Sequence, residues 1–320
     1  MKISNQTNGQ EPEFQVEGKI VYSAEIRSRG ATEQIKHSRS FLVARNGPRW
    51  RIRTTNLKED DRCNSIEYDE IGCDGTTIHE VKCFDGTQPS IAGVKDIISA
   101  QGRVRLGTAP ACFDIDFFLP LWIAYCSSQY FISLKDNRIA APLFIMPNSL
   151  GTDVPPVLPL PAKWKLNESH FISEIAWQSE GESLHVDNDG SRLERYPTPF
   201  DAGFLQATFE TTSWTSFSEI SMPGSFVLKV FGPTWPQGQE PKCVQLYTIE
   251  AKVENVQPLN HFSCLPELTK KTTITDLRYR GGHCPGGVIS YSRSTWMTED
   301  EVEAKLKSLG FNYEKQTSQA

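Results

Sequence analysis

The stretch FQVEGKIVYSAEI, Phe14 to Ile26, decides the fold. Phe14, Val16, Gly18, Ile20, Tyr22, Ala24 and Ile26 are apolar or small, while Gln15, Glu17, Lys19, Ser23 and Glu25 between them are polar, with Val21 the exception. A period of two is the signature of a strand with one wet face. At about 3.3 Å per residue the stretch spans roughly 40 Å, twice a usual strand, so its neighbours must be long as well. The segment Val244 to Val256 matches it, with Tyr247, Ile249, Ala251 and Val253 on one face and Thr248, Glu250, Lys252 and Glu254 on the other. The expectation is one wide, curved antiparallel sheet whose apolar face something must cover.

Composition sets the limits on function. The chain has 320 residues, 38% of them hydrophobic, and a net charge of −6 with 33 basic against 39 acidic side chains. Such a balance offers no concentrated basic surface to a phosphate backbone, which argues against nucleic acid as a partner. Arg49, Arg51 and Arg53 share one side of a strand opposite Trp50, Ile52 and Thr54, and read as its solvated face. The eight cysteines contain no Cys-x-x-Cys pair, a spacing unsuited to structural zinc, and their even number permits disulfides without requiring them. Neither a metal nor a cofactor is expected. The polar Met1 to Glu13 segment lacks the apolar core of a signal peptide, so the chain as written reads as cytoplasmic; a start placed downstream of an export signal would change that. Phe117 to Cys126, the longest apolar stretch, is too short to span a bilayer, so no transmembrane segment is expected.

Turn chemistry divides the rest of the chain. Asn46-Gly47-Pro48 separates strands at 39–44 and 50–57, and Asp74-Gly75 separates Ile66–Cys73 from Thr76–Phe84. A two-residue turn at Asp74-Gly75 makes paired residues sum to 149; Ile66, Tyr68, Val81 and Cys83 then share a face, and Glu70 stands opposite His79. Ser90 to Gln101 reads as a short helix stopped by Gly102. Asp116 can cap a second helix with Pro120 in its first turn and Phe117, Phe118, Leu121, Trp122 and Tyr125 on one apolar face. The six prolines between Ala141 and Pro161 exclude regular helix or central strand. They suit a domain linker or, preferably, a surface crossover at 141–163 within one domain of residues 14–311. Their Pro155–Pro159 run would adopt a polyproline or plain extended form. Strands resume at 171–177, 183–187, 203–214 and 225–231, with an Asp189-Gly190 hairpin. Thr298 and Glu301 form a capping box, Met297 and Val302 a hydrophobic staple, and Gly310 a stop, giving a helix from Glu299 to Leu309 that docks through Val302, Leu306 and Leu309. Residues 1–13 and 312–320 read as disordered ends.

No motif names a reaction. Glu70 with His79 is the best acid–base pair, since a carboxylate beside a half-buried imidazole favours its charged form, but a cross-strand ion pair needs no catalytic role. His283-Cys284 sets an imidazole beside a thiol that points away from it on extended chain, and Asp187-Asn188-Asp189-Gly190 is spaced for a turn rather than a calcium loop. The aromatic helix has two readings, a core helix or a wall of an apolar cavity; in the second, Phe117, Phe118, Leu121, Trp122 and Tyr125 with Ile20 and Tyr22 would line a site for a lipid-like guest.

Several stretches resemble a known group. Arg49-Trp50-Arg51-Ile52-Arg53, the Asp-Gly hairpin within Tyr68 to Val81, Leu121 to Ser127, Pro199 to Phe204 and the Pro223-x-x-Phe226 step look like an uncharacterised bacterial group of β-rich proteins, across most of residues 14–300. More distantly, the plan is similar to the LolA-like periplasmic lipoprotein carriers. The resemblance implies an incomplete β-barrel with helical plugs, usually exported, and this chain departs from it in lacking an export signal. The resulting expectation is a mainly β (α+β) protein, a half-barrel with an internal aromatic helix and a C-terminal helix. It would act without catalysis as a binder or carrier of a hydrophobic ligand in the bacterial cell envelope. A filled-core interaction module and, behind it, a Cys/His hydrolase are the alternatives.

Overall fold

The computed structural model describes residues 13–28, 31–57, 66–75, 77–84, 90–96, 115–127, 161–178, 184–186, 193–234, 238–268, 272–281, 288–310 and 312–315. The opening stretch lies in β1 (Glu13–Ser28), followed by β2 (Ala31–Asn46), β3 (Arg49–Asn56), β4 (Ile66–Cys73), β5 (Thr77–Phe84) and β6 (Ser90–Asp96). Helix α1 (Ile115–Tyr125) precedes β7 (Pro161–Leu166), β8 (Ile172–Gln178) and a small antiparallel pair, β9 (Leu184–Val186) and β10 (Leu193–Arg195). Then come β11 (Leu205–Phe217), β12 (Ile220–Thr234), β13 (Lys242–Gln257), β14 (Thr272–Gly281), β15 (Val288–Arg293), helix α2 (Glu299–Ser308) and β16 (Tyr313–Lys315).

Among the described residues, one 14-stranded sheet runs in the order β15-β14-β6-β5-β4-β3-β2-β1-β13-β12-β11-β8-β7, with β16 beside β14. Two meanders, β1 to β6 and β7 to β13, are therefore joined edge to edge where β1 meets β13. The two long strands matched by length are the seam, paired antiparallel from Gln15↔Gln257 to Ala24↔Tyr247. All pairings are antiparallel except β6 with β14. A bulge between Glu17 and Gly18 kinks the seam, and glycine is required there, because a Cβ would run into the Lys252 carbonyl oxygen and the Phe41 ring.

The sheet is strongly curled. Phe14 on β1 and Phe171 at the start of β8 are separated by four strand steps, about 19 Å on a flat sheet, yet their ring centroids lie 6.0 Å apart. Curling makes a hollow, and α1 lies in it. The cluster around α1 gathers Phe14, Val16 and Ile20 from β1, Ile52 and Trp50 from β3, Ile175 and Trp177 from β8, and Phe226 and Leu228 from β12. A second cluster lies on the convex side, where Tyr68, Val81, Cys83 and Ile274 meet Met297, Val302 and Leu306 of the C-terminal helix region.

Several expectations are corrected. Ser90–Asp96 is strand rather than helix, because β5 and β14 pair with it on both edges and override a short ambiguous apolar pattern. The Asp74-Gly75 turn is wider than two residues: Asp74 N–H donates to the Thr77 carbonyl at 3.2 Å and Thr77 N–H to Asp74 Oδ1 at 2.7 Å. Pairs therefore sum to 151, as in Cys73↔Ile78, so Gly72 faces His79 and Glu70 faces Val81. The shift of two keeps the faces, and Tyr68, Glu70, His79, Val81 and Cys83 remain together on one side. Helix α2 has the expected capping box on Thr298 and buries Val302 and Leu306, but Leu309 is 54% exposed, its cap position turning it off the docking face. Tyr313–Lys315, expected in the tail, pair with β14. Pro161 opens β7, an edge strand where its missing N–H costs nothing; most of the proline-rich segment, like the Asp189-Gly190 turn, lies outside the described residues.

Candidate functional site: the hollow and its helix

Apolar side chains all round a helix mark it as buried on every side, and each residue from Phe117 to Ser127 is buried. The expectation of a single apolar face is thereby overturned. The helix also starts earlier than Asp116, placing Pro120 inside it, where one backbone N–H is missing. Its end is held by three polar contacts. Arg45 Nη1 donates to the Tyr125 carbonyl at 2.7 Å, where a cation meets the negative end of the helix dipole, and Tyr125 Oη donates to the Pro223 carbonyl at 2.7 Å. Ser127 Oγ donates to the Ile123 carbonyl at 2.8 Å. At the other end the Arg39 guanidinium lies 4.8 Å from the centre of the Phe117 ring.

Phe117, Phe118, Leu121, Trp122, Tyr125 and Ile20 belong to one cluster, and Tyr22 packs against it half-buried. The structure thus brings together all seven residues picked from the sequence. Trp122 is 9% exposed. Beyond the helix, Tyr22 stacks between His37 at 6.1 Å and Tyr247 at 5.1 Å across three adjacent strands. His37 and Tyr247 escaped the sequence reading, although Tyr247 stands on the apolar side of the long strand already picked out.

A charged group also escaped it. On the wall of the hollow, Arg39 Nη1 donates to Asp69 Oδ2 at 2.7 Å and to Thr54 Oγ1 at 3.1 Å, all three buried. The register sets Lys82 directly opposite Asp69 and Glu80 opposite Ile71, and both are buried. Buried charges persist when paired and hydrogen-bonded, as Arg39 and Asp69 are. Asp69, Glu80 and Lys82 share their phase with Ile71, Cys73 and Ile78, opposite the face of Tyr68, Val81 and Cys83 that reads as the more apolar one.

The convex side holds the acid–base candidates. Glu70 and His79 share this face but are not opposite one another. Glu70 pairs with Arg51 (3.2 Å) and accepts a hydrogen bond from Glu267 N–H (3.4 Å). Burial nevertheless raises the Glu70 pKa, against the pull of Arg51, Arg53 and that N–H. His79 packs edge-on to Trp296 with centroids 4.8 Å apart, and its Nδ1 is buried without a hydrogen bond. Burial brings its pKa down to about 4. Arg53, expected in solvent, lies over the Tyr68 ring at 3.9 Å. Burial pushes the Cys73 and Cys126 thiols up to about 12, which leaves them protonated and poor nucleophiles near neutral pH. The His283-Cys284 and Asp187–Gly190 motifs lie outside the described residues. Among the described residues no cluster of His, Cys, Asp and Glu could hold a metal, and no helix is long and apolar enough to cross a membrane.

No family model matches this chain, and no curated protein does. Among solved structures it is similar to a LolA superfamily protein from Nitrosomonas europaea, at 11% identity over 78% of this chain and 87% of that one, with a TM-score of 0.29. It is also similar to a DUF1329 family protein from Desulfovibrio piger, at 9% identity over 79% and 89%, TM-score 0.28. The third is the ywiB protein of Bacillus subtilis, at 5% identity over 75% and 94%, TM-score 0.19. Scores this low do not bear on what the chain binds.

Proposed function

We propose that this protein is a non-catalytic binder or carrier of a hydrophobic, lipid-like ligand, and that its site is the hollow now filled by α1. One observation carries the reading: a helix apolar on every side occupies the hollow of an open sheet, presenting to the wall the kind of surface an acyl chain would present. The ligand would displace part of α1 and rest against Ile20, Tyr22, Phe117, Phe118, Leu121, Trp122 and Tyr125, with Trp122 and the half-buried Tyr22 at the entrance. A setting in the bacterial envelope belongs to the same proposal and rests on the sequence resemblance. The high pKa values of Cys73 and Cys126 favour it over thiol catalysis.

A second reading has its own support. The contacts from Arg45 and Tyr125 fix the end of α1, as they would in an interaction module whose core is permanently filled. Native mass spectrometry and solvent extraction of the purified protein separate the two. A stoichiometric lipid, or saturable uptake of N-phenylnaphthylamine that Trp122→Ala alters, supports the carrier. Clean protein that takes up no probe supports the filled core and overturns the carrier.

A further inference from the structure

The connection from β13 to β14 must cross from one side of β1 to beyond β6, seven strand steps or about 34 Å. Its described part, residues 258–268, passes over the convex face at β4. Gly72 makes the passage possible, since a Cβ there would run into the Cys264 carbonyl and meet Pro266 Cδ at 3.1 Å. Three further contacts tie the strap down. Glu267 N–H donates to Glu70, Trp296 Nε1 donates to the Pro266 carbonyl at 2.7 Å, and Tyr68 Oη donates to the Glu267 carbonyl at 3.5 Å. The Trp296 ring that holds Pro266 is the ring that covers His79.

We propose that the 258–268 strap is an acid-released clasp with His79 as its trigger. The inference stands apart from whether the hollow binds a ligand. His79 sits beneath Trp296 and beside Gly72, its Nδ1 has no hydrogen bond, and Arg278 of β14 disfavours a second positive charge there. Asp74 in the β4–β5 turn and a backbone hydrogen bond at Thr77 favour the cation, but burial outweighs them. Arg278 is itself tied to Asp276 by two guanidinium hydrogen bonds, of 2.9 and 2.7 Å, and by its backbone N–H at 3.1 Å, so that carboxylate is engaged elsewhere. Lifting the strap and Trp296 would let water reach the imidazole and restore its ordinary pKa.

The sign follows from linkage. His79 has a lowered pKa when covered, so the covered state is favoured above pH 6.5 and loses ground as pH falls toward about 4. The open fraction then grows at most about tenfold per pH unit, a ceiling of about 300-fold across the window. Glu70 acts the other way. Its pKa is raised when covered, so its protonation favours closure, and Arg51, Arg53 and the Glu267 N–H and carboxylate modulate that opposition.

Hydrogen exchange of residues 258–268, corrected for its intrinsic pH dependence, tests the clasp between about pH 7 and about pH 4.5. Protection in the strap should fall with pH while the β1–β13 seam stays protected. His79→Phe keeps the edge-on ring contact without a titrating group and should abolish the fall; Glu70→Gln should steepen it. Strap protection independent of pH, or an unchanged fall in His79→Phe, overturns the proposal. If that variant does not fold, NMR titration of His79 in the native chain decides: an imidazole still neutral at about pH 5.5 supports the trigger, and titration near the ordinary value removes it.

Discussion

The two faces of β4 and β5 are both buried, at 68–73 and 78–83, but they are buried differently. Toward the hollow, Ile71, Cys73 and Ile78 share a cluster with α1, whose backbone hydrogen bonds are mostly internal, Arg45 serving the Tyr125 carbonyl at its end. Toward the convex side, Glu70, Gly72 and His79 meet an irregular strap, held by individual hydrogen bonds to Glu70, Tyr68 and Trp296. A helix brings most of its polar backbone already satisfied and needs polar partners only at its ends. A strap must find a partner for each group it buries. The first surface should resist perturbation through packing, and the second should yield to single polar changes.

The largest expected effect tests the packing side. Leu121→Ala should cost about 4 kcal/mol in chemical denaturation, because Leu121 is fully buried between helix and sheet. A loss below about 1 kcal/mol would mean that the hollow collapses easily and α1 is loosely seated. Arg45→Met, which removes the donor to the Tyr125 carbonyl, should cost roughly 2 kcal/mol. It should also raise probe uptake if α1 yields to a ligand; unchanged stability would show that the latch is idle.

On the strap side, Gly72→Ala forces the chain away from β4 and should cost about 1.5 kcal/mol. Exchange should quicken in residues 258–268 and stay slow in α1, and equal quickening in both would erase the contrast between the faces. The smallest change is Thr298→Ala, which removes half of the capping box on α2 and should cost about 1 kcal/mol. Its readout is faster exchange in the first turn of α2, and no change there would place the helix's stability wholly in Val302 and Leu306.

What the sequence disclosed follows the same division. The β1 and β13 alternations disclosed two long strands of one sheet, though not their pairing, because their outward residues really are wetter than their inward ones. In β4 and β5 that rule fails. Glu70 and His79 read as a half-buried cross-strand pair, yet what buries Glu70 is a strap nearly 200 residues away, and no local pattern announces it. Of the seven residues proposed to line the hollow, five were picked because aromatic density marked α1, and Ile20 and Tyr22 because of the β1 alternation. Asp69 and Lys82 were missed because they lie in the phase of β4 and β5 that reads as the wetter one, and Arg39 because its partner Asp69 is 30 residues away. The register error has a local cause: Asp74 accepts the Thr77 N–H and holds open a turn that Asp-Gly would otherwise make tight.

The seam also has a consequence in time. Val16 pairs with Val256, so β1 acquires its second neighbour only once β13, far downstream in the chain, has been made. At bacterial or eukaryotic synthesis rates the interval is on the order of tens of seconds, during which a long strand presents an unpaired edge. The outward-facing Lys19 then guards the nascent edge against the wrong strand before it pairs with Glu254 of the right one.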